Sequence, residues 1–322
     1  MADRAIITTE DRALSAGQSE TNPAAVYLAS LRPTGRATMR STLEKVADLV
    51  GMPLDVLPWP QLQYEHVAAL RTKLAEQYKP ATVNKYLCAI RGVMRAAWRL
   101  GQIDAEQYQR IADVKGVTGS TLPAGRGLDS GEVKGLMEAC SNDPTPTGAR
   151  DAAIISMGYA GGLRRAEIAS LDVSNILGDD GEAITIKVVK GKRNKERMVY
   201  LDNGARLALL DWLAIRGDEP GALFWSGRRG GHLVRGQRLT GQAIGDILTK
   251  RAEIGGVEPC TPHDLRRSFV SDLLESGVDI STVANMAGHE SVETTRRYDR
   301  RGEQAKKRAA KTLHVPYRRR MV

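Results

Sequence analysis

Between residues 22 and 111 apolar side chains recur at helical spacing, three or four positions apart, and polar residues fill the intervals. The pattern predicts helices over 23–31, 36–50, 61–77, 81–100 and 105–111. In the fourth, Val83, Tyr86, Leu87, Ile90, Val93, Met94 and Ala97 form one core-facing stripe. Arg91, Arg95 and Arg99 stand four apart on the opposite side, either a solvated face or a row of guanidinium groups suited to a phosphate backbone. Residues 1–21 carry no period and read as a loose leader. The stretch "VKGVTGSTLPAGRG", residues 114–127, is rich in Gly, Ser and Thr and reads as an interdomain linker. From Leu128 the helical pattern resumes, broken by "EAITIKVVKGKRNKERMVYL". There two β-branched runs flank the polar turn 191–195, as in a hairpin, and beyond Tyr200 helices are expected again. The predicted fold class is therefore mainly α with a small β-hairpin or sheet (α+β). It comprises a helical domain over 22–113, the linker 114–127, a second domain over 128–302 and a tail over 303–322.

A chain of 322 residues can bury two cores. No run approaches the roughly 18 apolar residues of a membrane span, and the N-terminus lacks a signal-peptide core, so a cytoplasmic protein is expected. Three widely spaced cysteines, Cys88, Cys140 and Cys260, suggest neither a disulfide framework nor a zinc site. Charge changes the picture more. Residues 296–322 hold 11 Lys/Arg against Asp299 and Glu303, whereas residues 1–295 carry 36 of each sign. The whole surplus of +9 is thus C-terminal, as in a basic arm for a polyanion or a merely solvated tail.

Four segments carry candidate chemistry. In "TPHDLRRSF" Thr261 suits an N-cap, Pro262 the first helical position and Asp264 a capping box, so His263 and Arg266 fall on one face of a first turn. Backbone amides there already favour an anion. In "GGLRRAEI" Arg164 and Glu167 lie three apart behind two glycines that permit close backbone approach. The hairpin turn carries Lys192, Arg193, Lys195 and Arg197. Finally, "AGHESVETTRRYDR" sets His289 nine positions ahead of Tyr298, which two arginines precede. Singly, each has an ordinary reading: a capped surface helix, an intrahelical ion pair, a lysine-rich turn, a packing tyrosine.

In order, however, these pieces resemble the tyrosine recombinase or phage integrase family, whose active site is Arg, Lys, His-x-x-Arg, His or Trp, and Tyr. The resemblance spans residue 22 to the end. It implies Arg164, Lys192, His263, Arg266, His289 and Tyr298 as catalytic, with Glu167 holding neighbouring side chains. Arg193 stands where many relatives have glycine, and of the adjacent arginines the G-L-R match favours Arg164 over Arg165.

The resemblance further implies a site-specific recombinase whose helical N-terminal domain is a DNA-binding (core-binding) domain. Such an enzyme clamps duplex DNA, assembles as a homotetramer on paired sites and exchanges strands through a 3′-phosphotyrosyl intermediate and a four-way junction. A nicking-closing enzyme of topoisomerase or hairpin-forming type, or an inactive architectural DNA-binding protein, are the alternatives.

The residue types suit this reaction. Attack on a phosphodiester adds charge to its non-bridging oxygens, which fixed cations stabilise, and a guanidinium offers them two parallel hydrogen bonds. A phenol, with an ordinary pKa of about 10, needs nearby positive charge or a base, here His263. By resemblance Lys192 protonates the leaving 5′ oxygen. No cofactor, metal or ATP is called for: the arginines supply the electrostatic role, and neither a nucleotide-binding G-x-x-x-x-G-K-[ST] loop nor a compact histidine ligand spacing occurs. In the tail, Leu313, Val315 and Tyr317 alternate with other residues as in an extended segment, expected to dock on a neighbouring protomer or else to grip DNA as a basic arm.

Overall fold

The structure, a computed structural model, describes residues 21–119, 125–190, 195–299 and 316. The chain divides into two compact units, Met1–Leu122 and Pro123–Val322.

The first unit consists of α1 (Pro23–Ala29), α2 (Pro33–Val50), α3 (Tyr64–Gln77), α4 (Pro80–Arg99) and α5 (Ala105–Ala112). Proline at the first turn starts three of them, and the Asn22 side chain accepts from the amide of Ala24 at 2.8 Å. Helix α2 ends on Gly51 with φ +80°, the left-handed cap that glycine adopts without strain. All the other helices pack on α4, whose seven predicted core residues are buried. At about 1.5–3 kcal/mol for each large side chain removed from water, this stripe is a substantial part of the core that the other helices complete. The helix predicted over 61–77 begins later, because a 3₁₀ turn at Trp59–Gln61 carries Trp59 into the core first.

The expected linker is held at both ends. Val114 is buried in the first unit, and the Asn84 amide brackets Val117, accepting from its N–H at 2.8 Å and donating to its carbonyl at 3.0 Å. In the second unit the Arg126 amide donates to Asp264 at 2.9 Å and that of Leu128 to the Ser268 hydroxyl at 2.7 Å. Composition marks flexible backbone but is silent about distant partners.

The second unit opens with α6 (Ser130–Ser141), α7 (Pro146–Tyr159) and α8 (Arg165–Ser170). A three-stranded antiparallel sheet follows, ordered β1 (Ile176–Asp179), β2 (Ala183–Lys190), β3 (Lys195–Asp202). Strands β2 and β3 pair from Ala183 opposite Asp202 to Lys190 opposite Lys195, the arms of the expected hairpin; its turn lies outside the described residues. Alternation sends Ile184, Ile186, Val188, Val199 and Leu201 inward onto a core with Trp212 and Met157. Then come α9 (Asn203–Arg216), a ribbon of β4 (Trp225–Gly227) and β5 (Leu233–Arg238), and α10 (Gly241–Ile254). The expectation of helices alone after Tyr200 is thus corrected. Both ribbon strands are short, and β5 is mostly exposed, so neither shows a two-residue hydrophobic period.

The unit closes with α11 (Pro262–Glu275), α12 (Ile280–Ala287) and α13 (Val292–Arg296). A small separate cluster of Phe269, Val270, Leu274, Val283, Ala287 and Tyr298 carries these last elements. Deep in the unit, Arg251 of α10 bonds Asp151 of α7 at 2.9 Å and Asp143 at 2.6 Å, while Arg150 also grips Asp151. Among the described residues no helix is long and apolar enough to cross a membrane.

Candidate active site

Helix α11 starts as its sequence dictates. Asp264 accepts from the Thr261 amide at 2.8 Å and from its hydroxyl at 2.7 Å, with Pro262 at the first position. His263 and Arg266 then line one pocket of about 480 Å³ together with Arg164, Arg165, Ala166, Thr261 and Pro262. Residues about 100 positions apart in sequence thus share a single concave surface.

Arg266 is buried, and its two terminal nitrogens donate to the carbonyls of Gly162 and Ala287. Each keeps a second N–H, so the head is oriented without being exhausted as a donor. Burial pulls its pKa down to about 9, and the charges of Arg164 and Arg197 act in the same direction against Glu167 and Tyr298. A pocket that disfavours its own cation is one that a bound anion would relieve. The double glycine serves this arrangement. At Gly162, with φ +60°, a Cβ would lie 2.4 Å from the Phe269 ring, so the close backbone approach is to α11 itself.

Arg164 precedes α8, donating through its amide to Glu167 at 2.9 Å, through its guanidinium to the same carboxylate at 2.9 Å, and to the Gly288 carbonyl at 3.2 Å. The intrahelical pair therefore exists, yet the same side chain reaches the loop ahead of His289. Arg165 is exposed at the pocket rim.

Glu167 also receives a two-pronged bond from Arg197, at 3.1 and 2.8 Å. Burial alone would raise its carboxyl; the Arg197 fork, the Arg164 amide and both guanidinium charges outweigh it and hold the group at about 2. Arg197 donates as well to the Met286 carbonyl at 3.1 Å, and a Cβ on Gly288 would fall 2.8 Å from its guanidinium. By sequence Arg197 stands among the cations of the hairpin turn, with no role of its own assigned. The signal was present: on β3 it falls in step with Val199 and Leu201, on the buried face.

Tyr298 is buried at the edge of the C-terminal cluster, 9% exposed, with its hydroxyl 3.3 Å from His263 Nε2. The His289 ring stacks beside it, centroids 6.2 Å apart and planes 20° from parallel, while His289 Nδ1 shares a 2.7 Å hydrogen bond with the Thr295 hydroxyl. Burial lowers the His263 pKa below the usual histidine range; Asp264 opposes the shift, and Arg266, Arg267 and Arg164 reinforce it. A neutral imidazole beside a phenol can accept its proton.

Arg164, Glu167, His263, Arg266, His289 and Tyr298 thus converge. Lys192 lies outside the described residues, as does the basic tail apart from Pro316. The row Arg91, Arg95, Arg99 is not uniform: Arg91 is half-buried and donates to the Val114 carbonyl, and Arg95 donates to the Tyr108 hydroxyl at 2.9 Å. Of the three, Arg99 stands on the face without such an anchor in α5 or the segment after it.

Residues 126–304 match the profile of the phage integrase family. Tyrosine recombinase XerC of Shewanella amazonensis is 31% identical over 280 residues, which cover 84% of this chain and 88% of that protein. Tyrosine recombinase XerD of Rickettsia conorii is 35% identical over 184 residues, 53% of this chain and 58% of that one. Among solved structures, XerH site-specific recombinase bound to palindromic difH substrate in a post-cleavage complex superposes with a TM-score of 0.66 at 23% identity, covering 86% of this chain and 79% of that one. A lambda integrase tetramer bound to a Holliday junction gives 0.62 at 17% identity, over 86% and 75%. At these identities the likeness is one of fold.

Proposed function

This chain belongs to the phage integrase family and is a site-specific tyrosine recombinase, and from that premise we propose that Tyr298 is its nucleophile, working on a DNA phosphate held by Arg164 and Arg266. The observation that carries the reading is the Tyr298 hydroxyl 3.3 Å from His263 Nε2, on the helix whose Arg266 lines the same pocket as Arg164.

The phenol oxygen attacks phosphorus as its proton passes to His263 Nε2. Charge growing on the non-bridging oxygens is met by the free N–H groups of Arg164 and Arg266, which their carbonyl partners already aim. The bond from phosphorus to the 5′ oxygen breaks, and Lys192 gives that oxygen a proton. The product is a 3′-phosphotyrosyl ester, which a 5′ hydroxyl from a partner strand opens in the reverse sense, joining exchanged strands through a four-way junction. Glu167 transfers no proton: a carboxyl held at about 2 stays ionised and fixes Arg164 and Arg197. His289 contributes a further donor to the phosphate.

In this reading residues 22–113 form a core-binding domain on duplex DNA, 114–127 a linker and 128–302 the catalytic domain. Arg95 and Arg99, both exposed, contact phosphate, while half-buried Arg91 holds the segment after α5 through the Val114 carbonyl. Four protomers act on two paired sites, with residues 303–322 docking on a neighbour.

The test is Tyr298→Phe. It should bind site DNA with unchanged affinity yet form no covalent protein–DNA species on a nicked duplex; linkage that persists in this variant assigns the nucleophile elsewhere.

A further inference from the structure

Beside the six residues above lies a further buried cation. Arg267 is buried, its guanidinium carbon sits 5.7 Å from the centroid of the Tyr298 ring, and its Nη1 donates to the Gly125 carbonyl at 2.7 Å. A cation over an aromatic face at this distance attracts the ring. An apolar side chain of equal length would fill the space at lower desolvation cost, so packing alone does not call for an arginine here.

The other end of this contact is equally specific. Residues 125–128 strap across α11: the Gly125 carbonyl takes Arg267, the Arg126 amide takes Asp264 at 2.9 Å, and the Leu128 amide takes Ser268 at 2.7 Å. Gly125 has φ +93°, and a Cβ there would lie 2.1 Å from the Asp264 carboxylate, which also caps the helix bearing His263.

We propose that Arg267 is a positioning residue, holding the Tyr298 ring against His263 from an anchor in the Gly125–Leu128 strap. The inference rests on Tyr298 as nucleophile. Its effect is one-sided. Before attack the phenol is restrained only by non-covalent contacts, whereas in the phosphotyrosyl ester the bond to phosphorus holds it. Losing Arg267 therefore raises the barrier to cleavage but not that to rejoining.

The experiment measures both directions with full-length protein: covalent complex formation on a nicked duplex, and rejoining when the 5′-hydroxyl strand is returned to that complex. For Arg267→Met we expect DNA affinity within about twofold of wild type, cleavage roughly ten- to a hundredfold slower, and rejoining within about threefold. Arg267→Lys, which keeps a cation but cannot hold ring and carbonyl together, should fall between. Gly125→Ala should reproduce the lopsided defect through the strap. Unchanged cleavage in Arg267→Met, or equal slowing in both directions in Arg267→Met and Arg267→Lys, overturns the proposal. Wild-type protein whose covalent DNA does not map to Tyr298 overturns instead the reading beneath it.

Discussion

At the scale of single residues, the site is organised around one carboxylate. Glu167 faces Arg164 and Arg197 and is the means by which β3, α8 and the loop before His289 are held together. Arg197→Met should therefore leave DNA affinity nearly intact while lowering the single-turnover cleavage rate roughly a hundredfold, since a displacement of about 1 Å at a catalytic arginine costs that much. A variant that cleaves at the wild-type rate would remove Arg197 from this role. Protonation gives a second check. His263 is pushed below the ordinary histidine value near 6.5, chiefly by burial, and as the proposed base it would act only when neutral. The acid limb of the rate at limiting enzyme and DNA should therefore be centred below 6.5. An acid limb centred above 6.5 would argue against His263 as the base.

Among elements, what matters is the rigidity of the frame behind the pocket. Helices α7 and α10 and the chain after α6 are clamped by Arg251, itself 2% exposed, to Asp143 and Asp151. Asp151 keeps Arg150 if Arg251 is lost, but Asp143 loses its guanidinium partner. Arg251→Met should destabilise the protein by about 1–3 kcal/mol, because the buried guanidinium's bonds to Asp143, Asp151 and the Ala139 carbonyl are lost together while both carboxylates keep other donors. Urea unfolding measures this directly; a midpoint equal to wild type would mean the cluster adds little. Helix α4 shows how far periodicity reaches at this scale. Its seven apolar residues are buried as their spacing requires, yet the opposite face is shared between solvent and α5, a neighbour no local pattern announces.

For the whole molecule, the uneven charge distribution bears on assembly. Residues 305–322 contain seven Lys/Arg and no Asp/Glu. Truncation after Gln304 separates docking from DNA grip. We expect the shortened protein to bind a single site with an unchanged salt dependence and to lose the four-protomer complex on paired sites, read by native gel. A salt slope that flattens with assembly intact would make the tail a DNA-gripping arm, since each lost phosphate contact reduces that slope by about one.

The order of motifs, the α+β class, the predicted helices of the first unit and the arms of the hairpin were legible in the chain itself. They rest on local chemistry: apolar period, proline and capping residues, β-branched runs. That Thr261, Pro262 and Asp264 start α11 required only four consecutive residues. Tertiary structure decided what depends on neighbours distant in sequence. It turned Arg197 and Arg267 inward, set Arg91 and Arg95 on partners of their own, paired β4 with β5 and fastened the ends of the linker. An arginine's charge is the same on either side of a surface. Whether it meets water, a carboxylate or a tyrosine is settled only when the chain has folded back on itself.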